Sequence, residues 1–328
     1  MKTISITIFI LFIFYTSHAG KISGHIRDAK GEPLSYSSII VKGTSKGVVA
    51  NSEGIYNITL EDGTYTLICQ HVGYQSQEKI ITITGENTVV DFVLSIQEVK
   101  MDEVIIKRGK DPAIEIIKQT IRKRNFYNNQ VKSFSVEVYI KGLLKSREIP
   151  YRFLGITIDR SDMAKEGIDS SGKGILFLSE SVTKVSFETP DRYKYEVLSS
   201  RRSGGDDALG FPSFINFYTN NVEISSSNPR GFISPISDNA FHYYRFRYEG
   251  NFFEGNKMID KIQVIPKRKN EPLFEGFINI IDDEWRIHSL ELTTTKQYQL
   301  ELIDTLKISQ IHGPVSDDIW RTQNQVIY

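Results

Sequence analysis

The sequence predicts a mainly β protein: a small N-terminal β-sandwich, a short helical linker, and a larger antiparallel β-rich domain with some helix. Three observations carry this expectation. From Lys21 to Leu94, short alternating apolar runs are broken roughly every eight to twelve residues by Lys-Gly, Glu-Gly, Asp-Gly and Val-Gly pairs, the rhythm of a small all-β module. After Asp111 the apolar spacing changes to that of a single helix. From Val131 onward strand-like alternation returns and runs to the last residues.

In the first module, Ile22 and Ile26 share a parity, and Gly24 between them permits a bend or a bulge. Asp28 to Pro33 supplies a turn, and Tyr36 to Val41 a β-branched core strand. Gly43 and Gly47 bracket a loop before the short strand at Val48-Val49. Ser52-Glu53-Gly54 turns the chain into Ile55–Leu60, where Tyr56, Ile58 and Leu60 face the core. Glu61-Asp62-Gly63 reads as a hairpin turn into TYTLIC. The linker holds a short strand, Glu103–Lys107. Asp111-Pro112 then opens a helix, because Asp caps free N–H groups and Pro tolerates the first helical position. Ile114, Ile117 and Ile121 fall on one helical face, with Lys118, Arg122, Lys123 and Arg124 off it, near the favourable C-terminal end. Later strands are expected at 133–140, 184–188, 192–198, 243–248, 261–266, 274–281, 285–293 and 303–310. Asp282-Asp283-Glu284 joins two of them in a hairpin. The segment from Ser199 to Asn239, with Phe211, Phe214, Phe217 and Tyr218, is expected to cover a sheet.

Composition bounds the function. Forty basic residues balance forty acidic ones, so no long-range field favours nucleic acid or an anionic membrane. The single cysteine, Cys69, excludes an internal disulfide and reads as a buried strand thiol. Lys2, the apolar run Ile4–Tyr15 and Ser17-His18-Ala19 form a secretion signal cleaved after Ala19. That run is shorter than the roughly twenty residues needed to span a bilayer, and no lipid-bearing cysteine follows it. Export to the periplasm or outer membrane is the expectation.

The motifs GHIRDAKGEPL, SIIVKGT, SEGIYNI, GTYTLICQHVGY and VDFVL together resemble the carboxypeptidase regulatory-like domain, an immunoglobulin/transthyretin-like sandwich found at the N-terminus of Bacteroidota envelope proteins. Glu53 stands where that family usually has Asp. The resemblance implies an accessory module and carries no peptidase activity. Farther on, Phe177-Leu178-Ser179-Glu180-Ser181, Phe217-Tyr218, Ile233-Ser234-Pro235, Asn239-Ala240-Phe241-His242-Tyr243-Tyr244 and Lys261–Lys267 resemble the uncharacterised family DUF5686. Members of that family pair with the regulatory-like module, and the strand pattern is similar to the half-barrel of lipoprotein carriers. The resemblance also implies a continuation into an outer-membrane barrel; since one strand cannot close a barrel, the chain ending at Tyr328 reads either as a truncated form or as a fragment of a longer chain. The expected organisation is therefore residues 1–19 signal peptide, 20–95 sandwich, 96–130 linker and 131–328 DUF5686-like domain.

Candidate chemistry is sparse. Ser181-Val182-Thr183-Lys184 fits S-x-x-K and Ser237-Asp238-Asn239 fits S-D-N, the pairing used by serine β-lactamases and penicillin-binding proteins. The chemistry needs Ser181 at a helix start with Lys184 one turn on, whereas SESVTKVSFE alternates like a strand and no K-T-G follows. His25, His71, His242, His288 and His312 show no close metal-ligand spacing. His242 with Tyr243, Tyr244 and Arg245 could line a polar pocket. Asp282, Asp283 and Glu284 could form an acid cluster, although a hairpin turn uses Asp for local hydrogen bonds. No cofactor fingerprint appears, and no catalytic, cofactor-binding or metal residue is assigned.

The expected function is that of a non-enzymatic cell-envelope protein, a binding, assembly or transport-support module of the outer membrane. Its expected partners are envelope proteins and a glycan or peptide ligand, without nucleic acid, and its membrane association runs through a region beyond Tyr328. Two rivals stay open: the N-terminal part of a TonB-dependent transporter, since MDEVII is similar to the segment before its plug, and an exported hydrolase using Ser181 and Lys184.

Overall fold

The computed structural model describes residues 19–44, 46–100, 111–146, 152–153, 156–157, 174–189, 192–203, 215–224, 230–298, 305–316 and 318–327. The signal-peptide expectation, apart from Ala19, lies outside these residues, as do the strand at 103–107, Phe211 and Phe214. The chain divides into two compact units, Met1–Ile96 and Gln97–Tyr328.

The first unit contains strands β1 (Ala19–Asp28), β2 (Ser38–Val41), β3 (Gly47–Val49), β4 (Ile55–Glu61), β5 (Gly63–Gln70), β6 (Gln77–Ile83), β7 (Thr88–Val89) and β8 (Phe92–Leu94). One sheet is built on β1, antiparallel to β4 and parallel to β7 and β8; the other runs β3-β2-β5-β6. Alternation along each strand sends Ile22, Ile26, Tyr56, Ile58 and Leu60 inward from the first sheet. Ile39, Val41, Leu67, Cys69, Ile81 and Ile83 meet them from the second. The Tyr56 hydroxyl donates to the Val90 carbonyl at 2.6 Å, so its burial leaves no orphan donor.

Two expectations are corrected here. Gly24 marks no bulge, because the β1–β4 register runs unbroken from Ala19↔Glu61 to His25↔Ile55. Gly24 is required by close approach instead: a Cβ there would lie 1.9 Å from the Val90 carbonyl oxygen. Tyr36 does not begin the core strand. Its φ is 61°, a left-handed conformation, and its N–H donates to the Asn51 carbonyl, so β2 starts at Ser38.

The second unit begins with α1 (Pro112–Asn128), with Asp111 accepting from the Ala113 N–H at 3.0 Å. Strands β9 (Ser133–Ser146), β10 (Arg152–Phe153), β11 (Ile156–Thr157), β12 (Gly174–Glu188), β13 (Arg192–Ser203), β14 (Asn221–Val222) and β15 (Phe232–Ile233) follow. After a short helix, α2 (Ala240–Tyr243), come β16 (Tyr244–Glu254), β17 (Lys257–Pro266), β18 (Glu275–Ile281), β19 (Ile287–Thr295), β20 (Thr305–Ser316) and β21 (Ile319–Ile327). The last six form one antiparallel meander in sequence order, the half-barrel-like layer; β9, β12 and β13 form a separate sheet in the order β13-β12-β9.

The core sits on the meander. Phe246, Ile262, Val264, Ile278, Leu290, Leu292 and Ile308 meet Ala113 and Ile117 of the connecting helix, which is thus also a packing layer of this unit. Ile215, Phe217, Phe232 and Ile236 complete that core, as expected of the covering segment.

The buried stripe of α1 differs from the expected one. It is Ala113, Ile117, Thr120, Arg124 and Tyr127, with Ile121 flanking it and Ile114 half exposed. Arg124 is 3% exposed and leaves the expected solvent face because polar partners wait inside. It donates to Asp238 Oδ1 at 2.8 Å, to Asn220 Oδ1, and to the Ile236 carbonyl. The helix also runs on to Asn128, so the basic cluster lies before the last turn, which contains no basic residue.

Candidate functional site

Three hairpin ends of the meander (β16–β17, β18–β19 and β20–β21) lie at the same end as the C-terminal turn of α1. In the β18–β19 turn, Asp283 and Trp285 take positive φ, and the Trp285 N–H closes back on the Ile281 carbonyl at 2.9 Å. This geometry aims Glu284 at two cations. Lys257 bonds one carboxylate oxygen, and Arg286 Nε lies 2.7 Å from the other, an ion pair whose alignment falls short of a hydrogen bond. Arg286 is buried, its guanidinium 4.7 Å from the Tyr127 ring centre and 5.6 Å from that of Trp320. It donates to the Asp318 carbonyl at 3.0 Å, while the Tyr127 hydroxyl donates to the Glu284 carbonyl at 2.6 Å. Lys257 also lies 5.6 Å from the Trp320 ring centre.

Two strand irregularities place the histidines. The β18–β19 register shifts at Asn279/Ile280, leaving His288 as the extra residue, and the β20–β21 register shifts at Ile311/His312. His288 Nε2 is 2.8 Å from Glu254, and its Nδ1 is 3.1 Å from the Ser289 hydroxyl, which also accepts from Asn279 at 2.9 Å. His312 is buried beside Gln310 and edge-on to Tyr218. Burial first, then the nearby His288 and Arg321, push its pKa down to about 3, so it stays neutral. Burial likewise lowers the Arg321 pKa and raises that of Tyr218, whose oxygen accepts the Ile287 N–H at 2.8 Å.

The arrangement is a polar lock. It ties three hairpins to a helix end through two cations, Lys257 and Arg286, the Glu284 carboxylate and the flanking rings of Tyr127 and Trp320. Ser289, His288 and Glu254 are linked in the order of a catalytic triad, but Ser289 is 4% exposed and its hydroxyl already holds the Asn279 donor. A nucleophile needs an acyl carbon about 3 Å away, and a buried, occupied hydroxyl offers no approach. Nearby, Asp260 accepts from the Tyr248 hydroxyl at 3.0 Å. Burial, opposed by that bond and reinforced by Asp282 and Asp283, raises its pKa to about 6.

The residues singled out in the sequence are dispersed. Ser181 and Lys184 lie on β12 with opposite parity; β9 pairs residue by residue through this stretch, so Lys184 is exposed on the face away from Ser181. Asp238 of Ser237-Asp238-Asn239 is held by Arg124 and Asn220, which, with the Asn220 bond foremost, keep its carboxyl below the usual range. His242, Tyr243, Tyr244 and Arg245 do not join in a pocket: Tyr244 is wholly buried and donates to the Ile233 carbonyl, while Arg245 is exposed. Asp282, Asp283 and Glu284 form the expected hairpin turn, and among the described residues no group of three or more His, Cys, Asp or Glu side chains could hold a metal ion. His25 contacts Asp91, and His71 bonds Ser37, within the sandwich. Cys69 is buried there, its thiol pushed up to about 12 by burial.

The polar lock was not read from the sequence. Its pairs join residues far apart in the chain, such as Tyr127 and Glu284, and the bulge at His288 breaks the alternation that parity counting assumes.

A regulatory-like sandwich joined to a half-barrel-like meander defines the class. The CarboxypepD_reg-like domain matches residues 22–106, and the chain belongs to the family of unknown function DUF5686, whose model matches residues 116–328. It is 30% identical over 105 residues to the TonB-dependent receptor P39 of Formosa agariphila, a match covering 30% of this chain and 10% of that protein. It is 32% identical over 96 residues to the TonB-dependent receptor P26 of the same organism, covering 29% of this chain and 9% of the relative. The chain thus spans about a tenth of the length of these receptors. A solved putative membrane-associated protein of unknown function from Bacteroides fragilis aligns over 95% of this chain and 98% of its own, with 9% identity and a TM-score of 0.21. No described helix is long and apolar enough to cross a membrane.

Proposed function

We propose that this chain is a non-enzymatic cell-envelope protein, a binding and assembly or transport-support module that works at the outer membrane with other envelope proteins as partners. The observation that carries the reading is the pairing of a CarboxypepD_reg-like domain with a DUF5686 region in one chain that shares a stretch with TonB-dependent receptors. The buried polar groups support it as well. Arg124, Arg286 and His288 hold structural partners, and Ser181 and Lys184 face opposite ways. The same similarity favours a second reading, the N-terminal part of a TonB-dependent transporter, which differs in requiring a plug and barrel.

Separating the membranes of a Bacteroidota host that expresses the tagged chain tests the proposal. Recovery in the outer-membrane fraction, without labelling by fluorophosphonate or β-lactam probes, is expected. Recovery in the cytosol would overturn the location. Labelling lost on Ser181→Ala or Ser289→Ala would overturn the non-enzymatic reading.

A further inference from the structure

The sheet β13-β12-β9 ends at β13, which among the described strands pairs only with β12. Every residue from Arg192 to Ser200 is exposed. One face of this sheet is apolar and carries three cross-strand rows: Phe134-Phe187-Tyr193, Val136-Val185-Tyr195 and Val138-Thr183-Val197. The row nearest the hairpin is a ladder of rings, with centroids 5.3 Å apart for Phe134 and Phe187 and 4.8 Å for Phe187 and Tyr193. Val185 is buried, yet at the edge Tyr193, Tyr195 and Val197 remain 50%, 54% and 62% exposed. An apolar face thus runs up to an open strand edge, the arrangement that invites another strand.

The opposite face says which strand fits. Glu137, Lys184 and Glu196 stand in one cross-strand row, so charge alternates from strand to strand up to the edge. Lys194 is the neighbouring residue on that face of β13. We infer that β13 pairs edge to edge with β13 of a second copy of this chain, antiparallel and centred on Tyr195. In this register Lys194 of each copy stands opposite Glu196 of the other, so the alternating row gains a fourth member twice over. On the apolar face Tyr195 meets Tyr195, and Tyr193 meets Val197. Centring the pair on Lys194 or Glu196 instead sets like charges against each other. The β12–β13 register shift at Val182/Thr183 leaves Leu198 unpaired with β12 and ends the regular alternation, confining the match to Arg192–Leu198. Seven residues a side make a small isologous interface, one that forms when copies are concentrated rather than in dilute solution. The inference does not depend on where in the cell the chain works.

Oxidative disulfide cross-linking of the full chain, which requires Cβ atoms about 4 Å apart, tests the register. Cys69 is 0% exposed and the chain has no other cysteine, so the background is silent. Tyr195→Cys should cross-link to itself on the order of 10-fold more than Lys194→Cys alone, because opposed Cβ atoms lie about 5 Å apart and offset ones farther. A mixture of Lys194→Cys and Glu196→Cys chains should cross-link as well as Tyr195→Cys. Independently, Lys194→Glu and Glu196→Lys should each weaken self-association on the order of 10-fold in sedimentation, while mixing the two restores a heterodimer. Equal cross-linking of Tyr195→Cys and Lys194→Cys, or self-association indifferent to both charge reversals, would overturn it.

Discussion

Replacing Asp260 by Asn should expose a pH dependence of the second unit that the wild-type chain hides. Asp260 is 4% exposed, and burial raises its carboxyl from an ordinary 3.8 to about 6 in the folded chain. Between those values the folded chain holds a proton that the unfolded chain has released, so stability falls as pH rises through the window. His312 acts in the opposite direction. With a folded pKa of about 3 against 6.5, it leaves the unfolded chain holding the extra proton, and stability falls as pH drops below 6.5. Each imbalance of one proton is worth about 1.4 kcal/mol per pH unit. From about pH 4 to about pH 6 the two contributions oppose each other and nearly cancel. In Asp260→Asn only the His312 slope remains, so stability should rise by about 2 kcal/mol between about pH 4.5 and about pH 6. In His312→Gln it should fall by a similar amount over the same interval. Urea unfolding followed by tryptophan fluorescence reads this unit selectively, because Trp285 and Trp320 both belong to it. An Asp260→Asn profile with the wild-type slope would refute the reasoning.

Three further outcomes follow from packing and burial. The Arg124–Asp238 pair is lopsided, with side-chain exposures of 4% and 58%, so Asp238→Ala, which strands a buried cation, should cost about 3 kcal/mol in urea unfolding. Arg124→Met, which leaves an exposed carboxylate and takes one donor from the Ile236 carbonyl and from Asn220 Oδ1, the latter still accepting the Asp238 N–H, should cost less, about 2 kcal/mol; equal losses would show that burial of the charge is not what sets the cost. Gly24→Ala should destabilise the sandwich by about 3 kcal/mol or more in thermal circular dichroism, since its Cβ meets the Val90 carbonyl at 1.9 Å, and a neutral result would contradict that contact. Cys69 should resist DTNB at mildly alkaline pH until denaturant is added, because the thiol is buried with a pKa of about 12; rapid labelling of the folded chain would count against it.

Where local chemistry decides the backbone, the fold is legible in the residues. The Glu61-Asp62-Gly63 turn, the parity of Tyr56, Ile58 and Leu60, and the Asp111-Pro112 helix start each need only their neighbours, and each is found where expected. Tyr36 and the reason for Gly24 are not legible locally, because they answer to Asn51 and Val90, partners distant in sequence. Arg124 was misread for a related reason: composition assigns a basic residue to solvent, while Asn220 and Asp238, about a hundred residues later, draw it inward. Of β12, Ser179–Glu188 is legible as an alternating strand, whereas Gly174–Leu178 is an unbroken apolar run behind a glycine and shows no alternation. The candidate site was illegible for both reasons together. Its ion pairs are long-range, and both histidines sit at register shifts that local alternation does not announce.

Export of this chain to the cell envelope, as proposed above, leaves a mark at its N-terminus. Intact-mass and N-terminal peptide measurement of the protein purified from a Bacteroidota outer-membrane fraction tests it most directly. The exported chain should begin at Gly20, with β1 one residue shorter at its start than the Ala19–Asp28 strand. A chain that retains Met1 and is recovered from the cytosol would contradict it.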